Sequence, residues 1–203
     1  MTMHHPLITL AKERAVQTVK LYLLIFIPMW LMFFVNSTVL FGTWNRLGIE
    51  PRELSLGNLV GIVGVWTMHA NLAHIVSNSL VMAQILFLFG LFEKNAFRTI
   101  GLLIVGSGLL TWLLGSSDSI HIGASGLAFA MMGYMIGGAI FARRWGYLVA
   151  CVVMGAGLWL AMLQGLIPQM GISFAGHFGG LVTGLLYGAD SQQRRYHIGY
   201  RQW

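Results

Sequence analysis

Long stretches without a charged residue constrain this chain more than any other feature of its sequence. They cover residues 21–45, 54–92, 99–117, 119–142 and 145–189. A helix needs about 20 apolar residues to cross a bilayer, so stretches of this length are typical of membrane-spanning segments. Only 9% of the residues are charged, against about 25% in soluble domains, and 57% are apolar. The composition excludes a water-soluble globule, and the single cysteine, Cys151, excludes a disulfide scaffold.

Helix length divides these stretches into six predicted spans. The longest stretch is interrupted by Pro168 and Gly171 and is therefore expected to hold two spans. The apolar segment 54–68 is short and rich in glycine, and we predict a loop lying in the membrane interface. The fold class is thus all-α, a polytopic membrane protein built as a six-helix bundle. The spans are expected near 21–41, 73–92, 99–115, 125–142, 147–167 and 175–189.

The distribution of basic residues predicts how the bundle is oriented. With the N-terminus in the cytoplasm, ten of the twelve Lys and Arg residues face the cytoplasm, and only Arg46 and Arg52 lie outside. Basic residues concentrate on the cytoplasmic side of membrane proteins, so we expect both termini to be cytoplasmic. A seventh span at 54–68 would invert every later segment and remove this bias. The ten residues are Lys12, Arg14, Lys20, Lys94, Arg98, Arg143, Arg144, Arg194, Arg195 and Arg201.

The chain is expected to comprise one membrane domain between two basic cytoplasmic segments. Residues 1–20 are predicted to form a short surface helix, residues 21–189 the membrane domain, and residues 190–203 a basic tail. Both ends are suited to contact with anionic membrane lipid. This topology accounts for the net charge of +6, and the chain lacks the soluble basic face that nucleic-acid binding would need.

Four polar side chains inside the apolar spans indicate a functional site. His74 and Asn78 lie in the first turns of the second span, Ser125 opens the fourth, and His177 lies near the start of the sixth. These three spans all run from outside to inside, so the four residues are expected at the outer end of the bundle. A hydroxyl and an imidazole that converge with further donors are typical of a nucleophilic site.

Small residues around these positions favour close contact between the fourth and sixth spans. Gly123 and Gly126 flank Ser125 and would let a substrate backbone approach, and glycines recur every four residues along both spans. This contact would bring His177 to Ser125. None of the six acidic residues lies within a predicted span, so a Ser–His dyad is expected rather than a triad, with Asp118 a solvated loop residue.

Three motifs in this order resemble those of the rhomboid intramembrane serine proteases. They are His69-x4-His74-x3-Asn78, Gly123-Ala124-Ser125-Gly126 and Ala175-Gly176-His177-Phe178-Gly179-Gly180. The resemblance implies a bundle around a short central fourth helix. It also implies a serine endopeptidase that cleaves membrane-protein substrates in or near their transmembrane helices, without metal or cofactor.

The resemblance also assigns roles to individual residues. Ser125 would be the nucleophile and His177 the general base. His74 and Asn78, with the Ser125 backbone N–H, would form the oxyanion hole. His69 matches an accessory histidine, and Phe129 matches the position whose ring, often a tyrosine, stacks on the catalytic histidine.

Other interpretations of the same residues stay open. Ser125 and His177 could be packing residues, and Asn78 could hold helices together. His69 is expected to be structural and His121 a loop histidine. The chain could be an inactive rhomboid-like protein that binds membrane proteins, or an ion transporter lined by His69, His74 and His177. The compact six-span form, with no targeting segment evident, leads us to expect the bacterial inner membrane, whereas the oligomeric state stays open.

Overall fold

A computed structural model describes the backbone of residues 6–199 and the side chains of residues 7–190. All regular elements in this part of the chain are helical, apart from one β-bridge between Ile49 and His121. We predicted a basic tail at residues 190–203. The side chains of its basic residues, Arg194, Arg195 and Arg201, lie outside the part of the chain that is described. The helices are α1 (Pro6–Thr38), α2 (Leu56–Gly64), α3 (Leu72–Phe92), α4 (Ala96–Leu114), α5 (Ser125–Ile140), α6 (Trp145–Val153), α7 (Gly155–Gly165) and α8 (Phe174–Gly199).

Each predicted span has a helical counterpart, but the fifth is not a single helix. α6 and α7 meet at an angle of 89°, so the expectation of one helix over 147–167 is wrong. The bend falls at Met154–Gly155, where Gly155 has a φ of +72°, a conformation that glycine adopts without steric cost. Within the described residues, α1, α3 and α4 are long and apolar enough to cross a membrane, and the bent pair would be a fourth span if it crosses as one unit.

Two further segments differ from the sequence prediction. Residues 6–20 do not form a separate surface helix, because they continue directly into the first span as part of the 33-residue α1. The segment 54–68, expected to be a loop, is mainly helical: it contains α2 and a 3-10 turn at Val65–Thr67. At about 1.5 Å per residue, the nine residues of α2 are too short to cross a bilayer, so no additional span results.

α5 is the central helix of the bundle, and α8 packs closely along it. Residues Leu127–Met135 of α5 are all buried. A Cβ on Gly184 of α8 would lie 2.6 Å from the Tyr134 backbone nitrogen, and one on Gly137 would lie 2.5 Å from the Leu185 carbonyl oxygen. The two backbones can therefore approach this closely only because both helices carry glycine along the contact, as the four-residue glycine spacing indicated.

A buried carboxylate joins four helices at the opposite end of α5 from Ser125. Glu93, just after α3, is 2% exposed and forms an ion pair with Arg144 at 3.0 Å. Its carboxylate also accepts hydrogen bonds from the hydroxyls of Tyr134 on α5 and Tyr147 on α6. Its backbone carbonyl accepts a 2.7 Å hydrogen bond from Gln17 on α1. This network connects the bundle at the end where the basic residues lie.

Candidate functional site

Ser125 and His177 are in hydrogen-bonding contact. The distance from Ser125 Oγ to His177 Nε2 is 2.8 Å. Ser125 is the first residue of α5 and is half-buried, whereas His177, in the first turn of α8, is 7% exposed. Since α5 and α8 pack backbone to backbone, their N-terminal ends bring a hydroxyl and an imidazole from distant parts of the sequence into reach.

The second ring nitrogen of His177 is held by a backbone carbonyl. His177 Nδ1 lies 2.7 Å from the carbonyl oxygen of Gly165, the last residue of α7. A carbonyl oxygen can only accept a hydrogen bond, so Nδ1 carries the proton and Nε2 presents its lone pair to Ser125. The ring of Phe129 stacks on the imidazole with a centroid distance of 4.3 Å and an interplanar angle of 12°.

His74 and Asn78 lie beside Gly123, two residues before Ser125. A Cβ on Gly123 would be 2.7 Å from His74 Nε2 and 3.4 Å from Asn78 Nδ2, and Gly123 has a φ of +116°. Both the space and the backbone conformation therefore require glycine here. His74 Nε2 and Asn78 Nδ2 thus lie close to the loop from which Ser125 emerges.

His69 forms a hydrogen bond with the side chain of Asn78. His69 is 2% exposed, and its Nε2 lies 3.0 Å from Asn78 Nδ2. An amide NH2 group donates, so Nε2 is the acceptor and the ring of His69 is neutral. Burial first, and then the charge of His74, lower the pKa of His69 to about 4, which keeps the ring neutral near pH 7.

His121 lies in the loop before α5, as expected, and its side chain is buried there. It is 9% exposed, and its Nδ1 lies 2.7 Å from Ser173 Oγ. Its Nε2 lies 3.1 Å from Ser119 Oγ. Its partner Ser173 lies in the loop between α7 and α8, so this hydrogen bond joins the two loops that lead into α5 and α8.

Two cavities adjoin the site. An open cleft of about 530 Å³ is lined by His74, His121 and Ser173, among others. A small pocket of about 20 Å³ lies behind Ser125 and is lined in part by Ser107 and Thr111 of α4. A water molecule needs at least about 10–15 Å³ of such volume, so the small pocket has room for one.

The structure thus places all the predicted site residues around one end of α5. Ser125, His177 and Phe129 are in direct contact, His69 contacts Asn78, and Gly126 packs against the Gly176 backbone. Asp118 is exposed. Sequence reasoning missed the Gly165 carbonyl and Ser173. A backbone acceptor leaves no side-chain signature, whereas Ser173 could have been noticed because it lies four residues before His177.

The geometry and the comparisons agree on the class of protein. The chain is an integral membrane protein of the all-helical polytopic type, and the rhomboid domain model matches residues 56–191. The chain therefore belongs to the rhomboid family. Among the residues that the structure describes, no group of three or more His, Cys, Asp or Glu side chains could hold a metal ion.

The curated relatives are mycobacterial proteins of uncharacterized function. One from Mycobacterium leprae is 30% identical over 145 residues, covering 66% of this chain and 57% of the relative. One from Mycobacterium tuberculosis strain H37Rv is 32% identical over 155 residues, covering 70% of this chain and 63% of the relative. The matched region thus spans about three fifths of the length of these relatives. No solved structure shows a significant match to the chain.

Proposed function

We propose that this protein is an intramembrane serine endopeptidase that uses Ser125 and His177 as a catalytic dyad. The observation that carries the proposal is the 2.8 Å contact between Ser125 Oγ and His177 Nε2, with Nδ1 held by the Gly165 carbonyl. The family includes inactive members, and the relatives are uncharacterized, so the proposal rests on this geometry rather than on any relative's activity.

The dyad can carry out acyl transfer without a carboxylate. His177 Nε2 would accept the Ser125 proton while Ser125 Oγ attacks the substrate carbonyl carbon. The imidazolium would then protonate the leaving amine, and a water activated by the same nitrogen would hydrolyse the acyl-enzyme. In a triad a carboxylate selects the tautomer of the base and orients it. The Gly165 carbonyl and the Phe129 ring would serve these two purposes here.

Negative charge that develops on the substrate oxygen requires donors near Ser125. The Asn78 amide, the His74 ring and the Ser125 backbone N–H are the candidates. The 3.0 Å contact with His69 fixes the direction of the Asn78 amide before substrate arrives. Loss of a single oxyanion donor lowers kcat by about 10²–10³-fold, so Asn78→Ala should reduce kcat more than it changes KM.

The substrate would be a membrane protein whose helix unwinds near the bundle. A carbonyl inside an intact helix is already hydrogen-bonded, so helix-breaking or small residues near the cleavage site should favour the reaction. The basic-residue bias supports a site open to the extracytoplasmic side, and the mycobacterial relatives support a bacterial inner membrane. The pocket behind Ser125 would supply the hydrolytic water.

The test is cleavage of transmembrane reporter proteins by the purified protein in liposomes. Wild type should cleave reporters that carry small residues near the outer face, and Ser125→Ala and His177→Ala should abolish cleavage while remaining folded. Asp118→Asn is the matched control and should retain full activity. Normal turnover by either dyad variant would refute the proposal.

Two other functions remain distinguishable by direct measurement. A rhomboid-like binding protein without activity would fail to react with a fluorophosphonate at Ser125. A histidine-lined transporter would produce ion flux in liposomes without proteolysis. The alignment of Ser125 with a tautomer-selected imidazole favours the protease over both, because neither binding nor transport needs that arrangement.

A further inference from the structure

A second serine–histidine contact lies next to the first, with the two residue types exchanged. Ser125 pairs with His177, and four residues earlier on each segment His121 pairs with Ser173. Both pairs therefore join the same two segments, the one that leads into α5 and the one that leads into α8. The resemblance of the chain to known motifs assigns no role to the second pair.

One assignment of protons satisfies every hydrogen bond of the second pair. In it, Ser119 donates its hydroxyl proton to the Ser116 carbonyl at 2.8 Å, and Ser119 Oγ accepts from His121 Nε2. With the proton on Nε2, His121 Nδ1 is the acceptor and Ser173 donates to it. Ser173 Oγ in turn accepts the Gly176 backbone N–H at 3.0 Å and so caps the start of α8.

This chain of hydrogen bonds requires a neutral His121. Burial lowers the pKa of the His121 imidazole, which favours the neutral form at neutral pH. The chain runs from the loop before α5 to the first turn of α8 without an unsatisfied group. It therefore ties the two segments together at a defined separation.

We propose that His121 and Ser173 are positioning residues for the Ser125–His177 dyad. The proposal rests on the proposed protease function, because it concerns the rate of that reaction. His121 precedes the nucleophile by four residues and also pairs with Ile49 through its backbone, whereas Ser173 precedes the base by four residues. Their contact sets the distance between the segments from which the reacting hydroxyl and imidazole project.

The contact lies between the open cleft and the small pocket at Ser125, because His121 and Ser173 line both. His121, Ser173 and His74 line the same cleft of about 530 Å³. Without the contact, the loop that carries Ser173 would be held to the loop before α5 only by neighbouring packing. A small displacement of one reacting group can cost about 10²-fold in rate. Because the His121–Ser173 hydrogen bond lies so close to the dyad, its loss should lower kcat.

A double-mutant cycle tests the proposal by reporter cleavage in liposomes. His121→Ala and Ser173→Ala should each lower kcat by about 10- to 100-fold with little change in KM. Because both act through one contact, the double variant should be no slower than the slower single variant. Ser173→Thr keeps the hydroxyl and the cap, and should restore most of the rate.

Controls separate positioning from loss of a helix cap or of the fold. Ser55→Ala removes the equivalent cap from α2, where Ser55 accepts the Asn58 backbone N–H at 3.2 Å, and should leave kcat unchanged. His121→Ala leaves the α8 cap in place, so a kcat loss in this variant at an unchanged melting temperature supports positioning. Additive losses, or unchanged kcat in His121→Ala while wild type is active, would overturn this inference alone. Absence of cleavage by wild type would refute the proposed function and this inference with it.

Discussion

At the scale of single residues, the Gly165 carbonyl is the feature on which the proposed chemistry most depends. It lies 2.7 Å from His177 Nδ1, and in the proposed reaction it would select the tautomer of the base and orient it without adding a charge to the membrane interior. A charged side chain at this depth would be costly, whereas a carbonyl freed by the end of a helix is already present. The geometry thus explains how the site can dispense with an acidic residue.

Substitution of Gly165 should slow the reaction without unfolding the protein. A Cβ at this position would lie 3.0 Å from His177 Nδ1 and 2.9 Å from Phe129 Cζ, so we expect Gly165→Ala to shift the imidazole and the ring stacked on it. We expect kcat to fall by about 10- to 100-fold in the liposome cleavage assay. The atoms that the added Cβ would meet belong to side chains rather than to backbone, so the melting temperature should fall less than that of Gly184→Ala.

Gly157→Ala on the same helix is the matched control for this prediction. A Cβ on Gly157 would have no atom within 4 Å, so this variant should cleave at the wild-type rate. Equal rates in the two alanine variants would show that Gly165 does not position His177.

Some residues of the candidate site can be recognised in the sequence from their side-chain type, and others cannot. Ser125, His177, His74 and Asn78 could be predicted because polar groups inside apolar spans are costly and therefore informative. The pairing of His121 with Ser173 could not, because both residues lie in loops where polar side chains are common. The missing information is the path of the loop between α7 and α8.

At the scale of elements, the ends of α3 and α4 could be predicted better than the helix bends. Charged residues mark where the chain leaves the membrane, and the bounds of α3 and α4 follow them closely. The bend between α6 and α7 lies inside an uncharged stretch, so charge gave no indication of it. Gly155, whose positive φ permits the bend, was one of many glycines in the sequence.

Because α5 and α8 are in close contact, we expect one added methyl group between them to lower the stability of the protein strongly. A Cβ on Gly184 would lie 2.6 Å from the Tyr134 backbone nitrogen and closer still to the Ala130 carbonyl oxygen. Backbone atoms cannot move aside as a flexible side chain would. Gly184→Ala should therefore lower the free energy of unfolding by about 1–3 kcal/mol, measured by thermal or denaturant unfolding in detergent.

A glycine outside this contact supplies the comparison. Gly101 on α4 would place a Cβ in open space, and Gly101→Ala should be neutral or slightly stabilising. If Gly184→Ala unfolds at the same temperature as Gly101→Ala, close glycine packing is not what holds α5 against α8.

At the scale of the whole molecule, the orientation in the membrane stays a prediction from the basic residues. It can be measured by cysteine labelling in a Cys151→Ser background. Asp118→Cys, in the exposed loop between α4 and α5, should react with a membrane-impermeant maleimide in intact cells. Lys94→Cys, in the exposed turn between α3 and α4, should react only after permeabilisation. The reverse pattern would place the active site on the cytoplasmic side.

The network around Glu93 should make the stability of the entire bundle depend on pH. Burial alone would raise the pKa of Glu93, but hydrogen bonds from Tyr147, the Asn95 backbone and Arg144, with the charge of Arg144, lower it below its ordinary value. A depressed carboxyl pKa contributes stability that is fully present above the unfolded pKa of about 4.3. That stability is lost as the pH falls through the folded value.

Glu93→Gln should remove both the stability and its pH dependence. Because Glu93 connects α1, α3, α5 and α6, loss of its charge should lower the free energy of unfolding near pH 7 by about 3 kcal/mol, the cost of breaking a buried ion pair. Unfolding in detergent between pH 7 and pH 3 should show a steeper loss for wild type than for the variant. Glu13→Gln, at an exposed position on α1, should follow the wild-type curve. Parallel curves for wild type and Glu93→Gln would mean that another group governs the acid sensitivity of the bundle.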